Sequence, residues 1–154
     1  METKLILVVP RFALHEMHHG NAFKTDITAT LHIYSSDSKP IEGLRGKHLA
    51  LQFDDIEKPL SYKGRDLMMF TEEQARQVVA FLDEIKETHP VLLCSCDAGI
   101  SRSGACGQFA CDYLGWDKEK FHKHNPYIHP NCHVKSLLWR VVRRNTGINQ
   151  DVSE

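Results

Sequence analysis

Cys96, Gly99 and Arg102 follow one another at three-residue intervals inside the stretch Val91 to Gly104, which reads VLLCSCDAGISRSG. An apolar run ends at Cys96, a loop carries Gly99, and Arg102 and Ser103 open a run of small residues that reads as a helix to about Gly115. Gly115 is a natural residue to follow a helix end. The first turn of a helix leaves N–H groups unpaired, and its dipole favours an anion in front of them. A tight loop containing glycine turns successive N–H groups inward into a nest of phosphate size. Arginine is always charged and grips two phosphate oxygens with its planar fork. Inward N–H groups and a nearby cation favour thiolate over thiol, and the thiolate is the nucleophile. The chemistry these residues suit is attack of a thiolate on phosphorus.

Such a loop has to be carried by flanking elements. Lys4 to Val9 is a continuous apolar run, read as a strand buried on both faces. Arg11 to Thr25, with His15, His18, His19 and a glycine but no clear period, reads as loop or a short irregular helix. Ala29 to Tyr34 and His48 to Phe53 each alternate polar and apolar residues and read as strands, and Gly43 and Gly46 mark their connection. Asp54 to Leu67, with Pro59 and Gly64, reads as a polar loop. Thr71 and Gln74 make a capping-box pattern, and Ala75, Val78, Val79, Leu82 and Ile85 follow on one helical face. After Pro90, Val91 to Cys94 form a short buried strand that runs on to Cys96. A last helix starts after Asn131, turns Val134, Leu137, Leu138 and Val141 inward, and stops near Gly147. Strands alternating with helices predict a mostly parallel central sheet flanked by helices, an α/β fold built as one domain over residues 1–154.

Composition removes several alternatives. The chain has 154 residues, enough for one core, with 42% hydrophobic and 25% charged residues, which argues against wholesale disorder. A formal charge of −1 offers no broad footprint for nucleic acid or an anionic membrane surface. No apolar run is long enough to span a bilayer, and no basic segment followed by a long apolar one opens the sequence. Five cysteines, an odd number at low density, fit a reducing cytoplasm better than a disulfide framework.

The pattern Cys96-x-x-Gly99-x-x-Arg102-Ser103 resembles the signature loop of the protein tyrosine phosphatase superfamily, in its small dual-specificity-like branch. The strand ending in Phe53-Asp54-Asp55, the helix from Thr71 and the Pro130-Asn131-Cys132-His133-Val134 approach to the last helix are similar to short prokaryotic and phage members. The resemblance implies the cysteine-based phosphatase fold and two-step hydrolysis of a phosphomonoester, on a phosphorylated protein or a simple ester. Cys96 would attack phosphorus and form a phosphocysteine. Arg102 and the backbone N–H groups of Asp97, Ala98, Gly99, Ile100, Ser101 and Arg102 would hold the equatorial oxygens. Ser103 would hydrogen-bond the sulfur and help it leave. No cofactor and no metal are implied. A phosphate-binding module with little turnover is the alternative from another class. Most members carry histidine immediately before the nucleophile, where this chain has Ser95.

In the family an aspartic acid just past an earlier strand protonates the leaving group and then activates water. That rule selects the pair Asp54 and Asp55, which strand alternation puts on opposite faces. Asp55, the last before the loop, is preferred, with Asp54 and Asp66 as alternatives. Asp97 and the absence of a basic residue between Cys96 and Arg102 make polyphosphorylated inositols and RNA ends poor substrates. Cys94 and Cys111 read as core, with a resolving thiol as the lesser option for each. His122, His124, His129 and His133 near Cys132 are spaced too irregularly for a zinc site. Asn131 reads as a helix N-cap. Lys118 to Lys123 and Arg140 to Arg144 read as solvated helix faces.

Overall fold

The computed structural model describes residues 3–145. Its elements run β1 (Leu5–Pro10), α1 (Arg11–His19), β2 (Thr28–Tyr34), β3 (His48–Gln52), β4 (Ser61–Tyr62), β5 (Arg65–Asp66), α2 (Glu72–Ile85), β6 (Val91–Cys96), α3 (Arg102–Leu114), α4 (Lys118–His124) and α5 (Cys132–Asn145). Four strands form one parallel sheet in the order β1-β6-β2-β3. Their carboxyl ends therefore lie together, and open parallel sheets bind ligands at that edge. Pro10 is in register with Cys96, and Ser95 with both Val9 and His32. The two-residue strands β4 and β5 form a separate antiparallel hairpin.

Helices α2, α3 and α5 cover one face of the sheet. Thr71 caps α2 with both halves of the capping box, and the helix buries Ala75, Val78, Val79, Leu82 and Ile85 as its periodicity requires. Val134, Leu137, Leu138 and Val141 of α5 join the same core. Each large aliphatic side chain buried there contributes about 1.5–3 kcal/mol relative to exposure. The contact of α3 with β1 depends on a missing side chain. A Cβ at Gly107 would lie 2.7 Å from Val8 Cγ2. The other face is covered by α1 and the chain around Ile41, where Leu14, Ile41 and Leu93 form a smaller cluster.

The structure corrects three sequence expectations. Arg11 to Thr25 contains a regular helix, α1, whose inward positions are Leu14 and His18. An imidazole in place of an aliphatic residue conceals the helical period. Strand β2 is buried from Thr28 to Ile33, because it lies between β6 and β3. Strand β1 is the opposite case, an edge strand with only Ile6 fully buried. The loop Asp54 to Leu67 contains the β4–β5 hairpin. The expected stop of the last helix near Gly147 lies outside the described residues.

Thr30 and His32 of β2 find partners inside the protein, while His32 Nδ1 is buried without one. The Arg45 N–H donates to His18 Nδ1 at 2.9 Å. The neutral ring then keeps its proton on Nε2, which donates to Thr30 Oγ1 at 2.9 Å. The Ile41 N–H donates to His32 Nε2 at 3.0 Å. Burial first, and the charge of Arg45 second, lower the His18 pKa from 6.5 to about 4. Burial and then Arg11 lower that of His32 to about 4, against a weaker opposing pull from Asp97.

Both rings are neutral in the native state, whereas the unfolded chain binds their protons from about pH 6.5 downward. Their stabilisation is complete above that pH and is lost progressively as pH falls toward 4. Urea midpoints should therefore drop steeply between pH 6.5 and 4. His32→Gln, whose amide oxygen can accept from Ile41, should flatten that slope; an unchanged slope would remove His32 from the account.

Candidate active site

The chain between β6 and α3 doubles back around Gly99, whose φ is +70°. A Cβ there would lie 2.5 Å from both the Val9 carbonyl carbon and the Pro10 nitrogen. Those are backbone atoms, so glycine is required for space as well as for conformation. Neighbouring segments hold the carbonyls of this loop from outside. Arg11 N donates to Asp97 O at 3.2 Å, His129 N to Ile100 O at 2.9 Å, and Asn131 N to Ser101 O at 3.0 Å. All described peptide bonds are trans, so each anchored carbonyl sends the following N–H the other way. The N–H groups of Ala98, Ser101 and Arg102 are thereby turned inward.

Helix α3 opens onto that concavity. Its first residues, Arg102 to Gly107, are buried, a place where free N–H groups are costly. Ser101, at the N-cap, makes no side-chain cap; its hydroxyl donates to Asp55 Oδ1 at 2.7 Å instead. At the floor, Cys96 is 2% exposed and its Sγ lies 3.0 Å from Ser103 Oγ.

Arg102 is the buried cation of the site, at 5% exposure. Nη1 donates to Ser35 Oγ and to the Phe53 carbonyl, both at 2.8 Å. Nη2 donates to Asp97 Oδ2 at 3.2 Å. Of the five N–H donors of a guanidinium, these bonds take three. Nε is buried without a partner, and one N–H of Nη2 remains beside it. Those two form the side-on edge of the fork, the edge that grips two oxygens of one tetrahedral anion.

The three candidate carboxylates have different surroundings. Asp54 is buried at 7% exposure and accepts from Ser36 N at 3.0 Å and Met68 N at 2.7 Å. Burial pushes its pKa up, but the bonds from Ser36 and Met68, with help from Arg65, outweigh this and leave it lowered. A carboxylate held ionised by backbone N–H groups is a poor proton donor. Asp66 bonds Ser61 within the hairpin, on an exposed surface. Asp55 is exposed and accepts from Ser101 and, at 2.9 Å, from Asn131 Nδ2. It stands on the rim of the nest.

Asn131 has two roles. Its Oδ1 accepts from Val134 N at 3.0 Å as an N-cap, while its amide nitrogen reaches Asp55. Ser95 is fully buried, with an unpartnered hydroxyl, beside Val9 and His32 on the opposite face of β6 from Cys96. Burial raises the pKa of Cys94, Cys106 and Cys111, so these thiols stay protonated. Cys132 is exposed. Among the described residues, no three of His, Cys, Asp and Glu gather as a metal site would need. Sequence reasoning missed Ser35, the Phe53 carbonyl and the reach of Asn131 to Asp55. Ser35 follows β2 and meets Arg102 across 67 residues, so no local spacing could reveal it.

No protein-family model matches the sequence, and no curated protein sequence is significantly similar to it. Solved structures are similar. Human DUSP28 superposes with a TM-score of 0.60 at 13% identity, over 94% of this chain and 95% of its own. PTPMT1, solved in complex with PI(5)P, gives 0.57 at 12% identity over 96% and 95%. Tk-PTP in its active form gives 0.54 at 17% identity over 94% of each chain. The fold is that of the cysteine-based dual-specificity and tyrosine phosphatases.

Gly99→Ala should destabilise the protein by at least about 2 kcal/mol, since it combines an unfavourable φ with overlap of backbone atoms. Urea unfolding measures this. A loss of a few tenths would mean that the loop does not pass this close to β1.

Proposed function

We propose that the chain is a cysteine-dependent phosphatase of the small prokaryotic and phage type. It hydrolyses phosphomonoesters, on phosphorylated tyrosine or serine and threonine of proteins, through a phosphocysteine intermediate. The observation that supports this most directly is the unpartnered Nε of the buried Arg102 guanidinium, at the end of the loop that Cys96 begins. A buried cation and an uncapped helix start call for an anion, and the Cys96 sulfur lies 3.0 Å from Ser103 Oγ in the first turn of that helix.

In the first step Cys96 Sγ attacks phosphorus, the bond to the ester oxygen breaks, and Asp55 supplies the proton that the oxygen takes away. The N–H groups of residues 97–102 and the Arg102 edge carry the three equatorial oxygens, whose charge dominates such transfers. In the second step Asp55 accepts a proton from water as that water attacks phosphorus. The sulfur departs as thiolate, eased by the hydrogen bond from Ser103. PTPMT1 was solved with a phosphoinositide, but this loop has no cation between Cys96 and Arg102. A substrate with one phosphate is therefore favoured here. No described helix is long and apolar enough to cross a membrane, and all five cysteines are unpaired, which fits the cytoplasm.

Wild type should hydrolyse an aryl phosphate and be inhibited by vanadate, and Cys96→Ser should abolish turnover while retaining phosphate binding. Equal rates for the two would refute the nucleophile. Asp55→Asn should cost about 10²–10⁴-fold on phenyl phosphate, whose leaving group needs a proton. It should cost far less in the first step on an ester of a strongly acidic phenol. The same pattern in Asp54→Asn or Asp66→Asn, with Asp55→Asn spared, would move the acid to that residue.

A further inference from the structure

Ser35 lies outside every sequence motif, yet its side chain is the centre of the contacts behind Arg102. Its Oγ accepts from Arg102 Nη1 at 2.8 Å and donates to Asp97 Oδ2 at 2.8 Å. Asp97 Oδ2 in turn accepts from Arg102 Nη2. Serine hydroxyl and carboxylate oxygen thus span the end-on edge of the guanidinium, while the Phe53 carbonyl takes the remaining N–H of Nη1. A guanidinium pinned along one edge cannot rotate about its Nε–Cζ bond, and its other edge keeps one direction. The same hydroxyl ties the first loop residue, Asp97, to the end of β2.

We propose that Ser35 is a positioning residue that, with Asp97, clamps the end-on edge of Arg102 and so aims the side-on edge at a bound phosphoryl group. The catalytic half of this assignment rests on the phosphatase reading; the clamp itself does not. The hydroxyl is separable from local folding. The Ser35 backbone is held by Ser38 Oγ, Ser38 N and Gln52 Nε2, and none of those bonds uses Ser35 Oγ. Ser35→Ala should leave the 35–38 turn in place while releasing one side of the guanidinium.

The experiment compares wild type, Ser35→Ala and Ser35→Thr by two measurements. The first is ¹⁵N–¹H spectroscopy of the arginine side chains without ligand, with Arg102 assigned through Arg102→Lys. Wild type should show separate Nη signals for Arg102, and Ser35→Ala should merge them through rotation. The second is steady-state hydrolysis of an aryl phosphate with inorganic phosphate as competitive inhibitor. Ser35→Ala should raise the inhibition constant and lower kcat/KM by about ten-fold each, the scale of one hydrogen bond to a charged group. Ser35→Thr keeps the hydroxyl and should return both readouts toward wild type. Unchanged Nη exchange in Ser35→Ala, or equal losses in both variants, would overturn the clamp. Slow Nη exchange in a wild type that neither binds nor hydrolyses phosphate would leave the clamp standing and refute the phosphatase reading.

Discussion

A guanidinium buried to 5% exposure is the constraint on which the carboxyl edge of the sheet depends. A charge removed from water must be hydrogen-bonded or paired, because its desolvation cost is several kcal/mol even after relaxation. Arg102 meets that demand on only part of its surface. Ser35, Phe53 and Asp97 take three N–H groups. Its Nε has no protein partner, and the helix that Arg102 opens also lacks a side-chain cap. Fully satisfying this arginine within the protein would be easier for stability and would leave nothing to bind with. The arrangement is intelligible as one completed by an anion.

The parallel sheet explains why partners so distant in sequence meet here. Every strand of the main sheet points the same way, so Pro10, Tyr34, Gln52 and Cys96 all end at one edge. The residues just beyond each end supply Arg11, Ser35, Phe53 with Asp55, and the loop itself. Each contributes a different part: an anchor for Asp97, a clamp for Arg102, a rim carboxylate and a nest. The segment before α5 closes the circle through His129 and Asn131, which hold the carbonyls of Ile100 and Ser101.

Legibility in the sequence follows the range of the interactions. Helix α2 could be read because its cap, its first turn and its apolar stripe all lie between Thr71 and Ile85. The loop could be read because nucleophile, glycine and arginine are consecutive features of one turn. The α/β class followed from strands alternating with helices. Strand β2 was legible as a strand but its full burial was not, because Thr30 and His32 bond partners on α1 and at Ile41, which only the folded chain brings near. Helix α1 was obscured for the reciprocal reason, since its inward His18 is the partner of Thr30. Asp54 and Asp55 illustrate both limits. Alternation separated their faces, but no local rule could tell that Met68 and Ser36 would hold one while Ser101 and Asn131 met the other.

Asp97 changes meaning once its partners are known. As a residue in a phosphate-sized loop, its charge reads as repulsion toward any phosphorylated ligand. In the fold its Oδ2 is turned to Ser35 and to the end-on edge of Arg102, and the side chain is about half exposed. Part of its field is offset by the guanidinium it holds, so in the proposed reaction it need not repel the one phosphoryl group that Arg102 would grip from the other edge. That offset does not extend to a second phosphate. The loop has no free cation to meet one, and Ile100, at 39% exposure, presents an apolar side chain where a basic residue would be needed. Under the proposed function, discrimination between singly and multiply phosphorylated ligands would follow from where the arginine's counter-charge is kept, not from the strength of the nest.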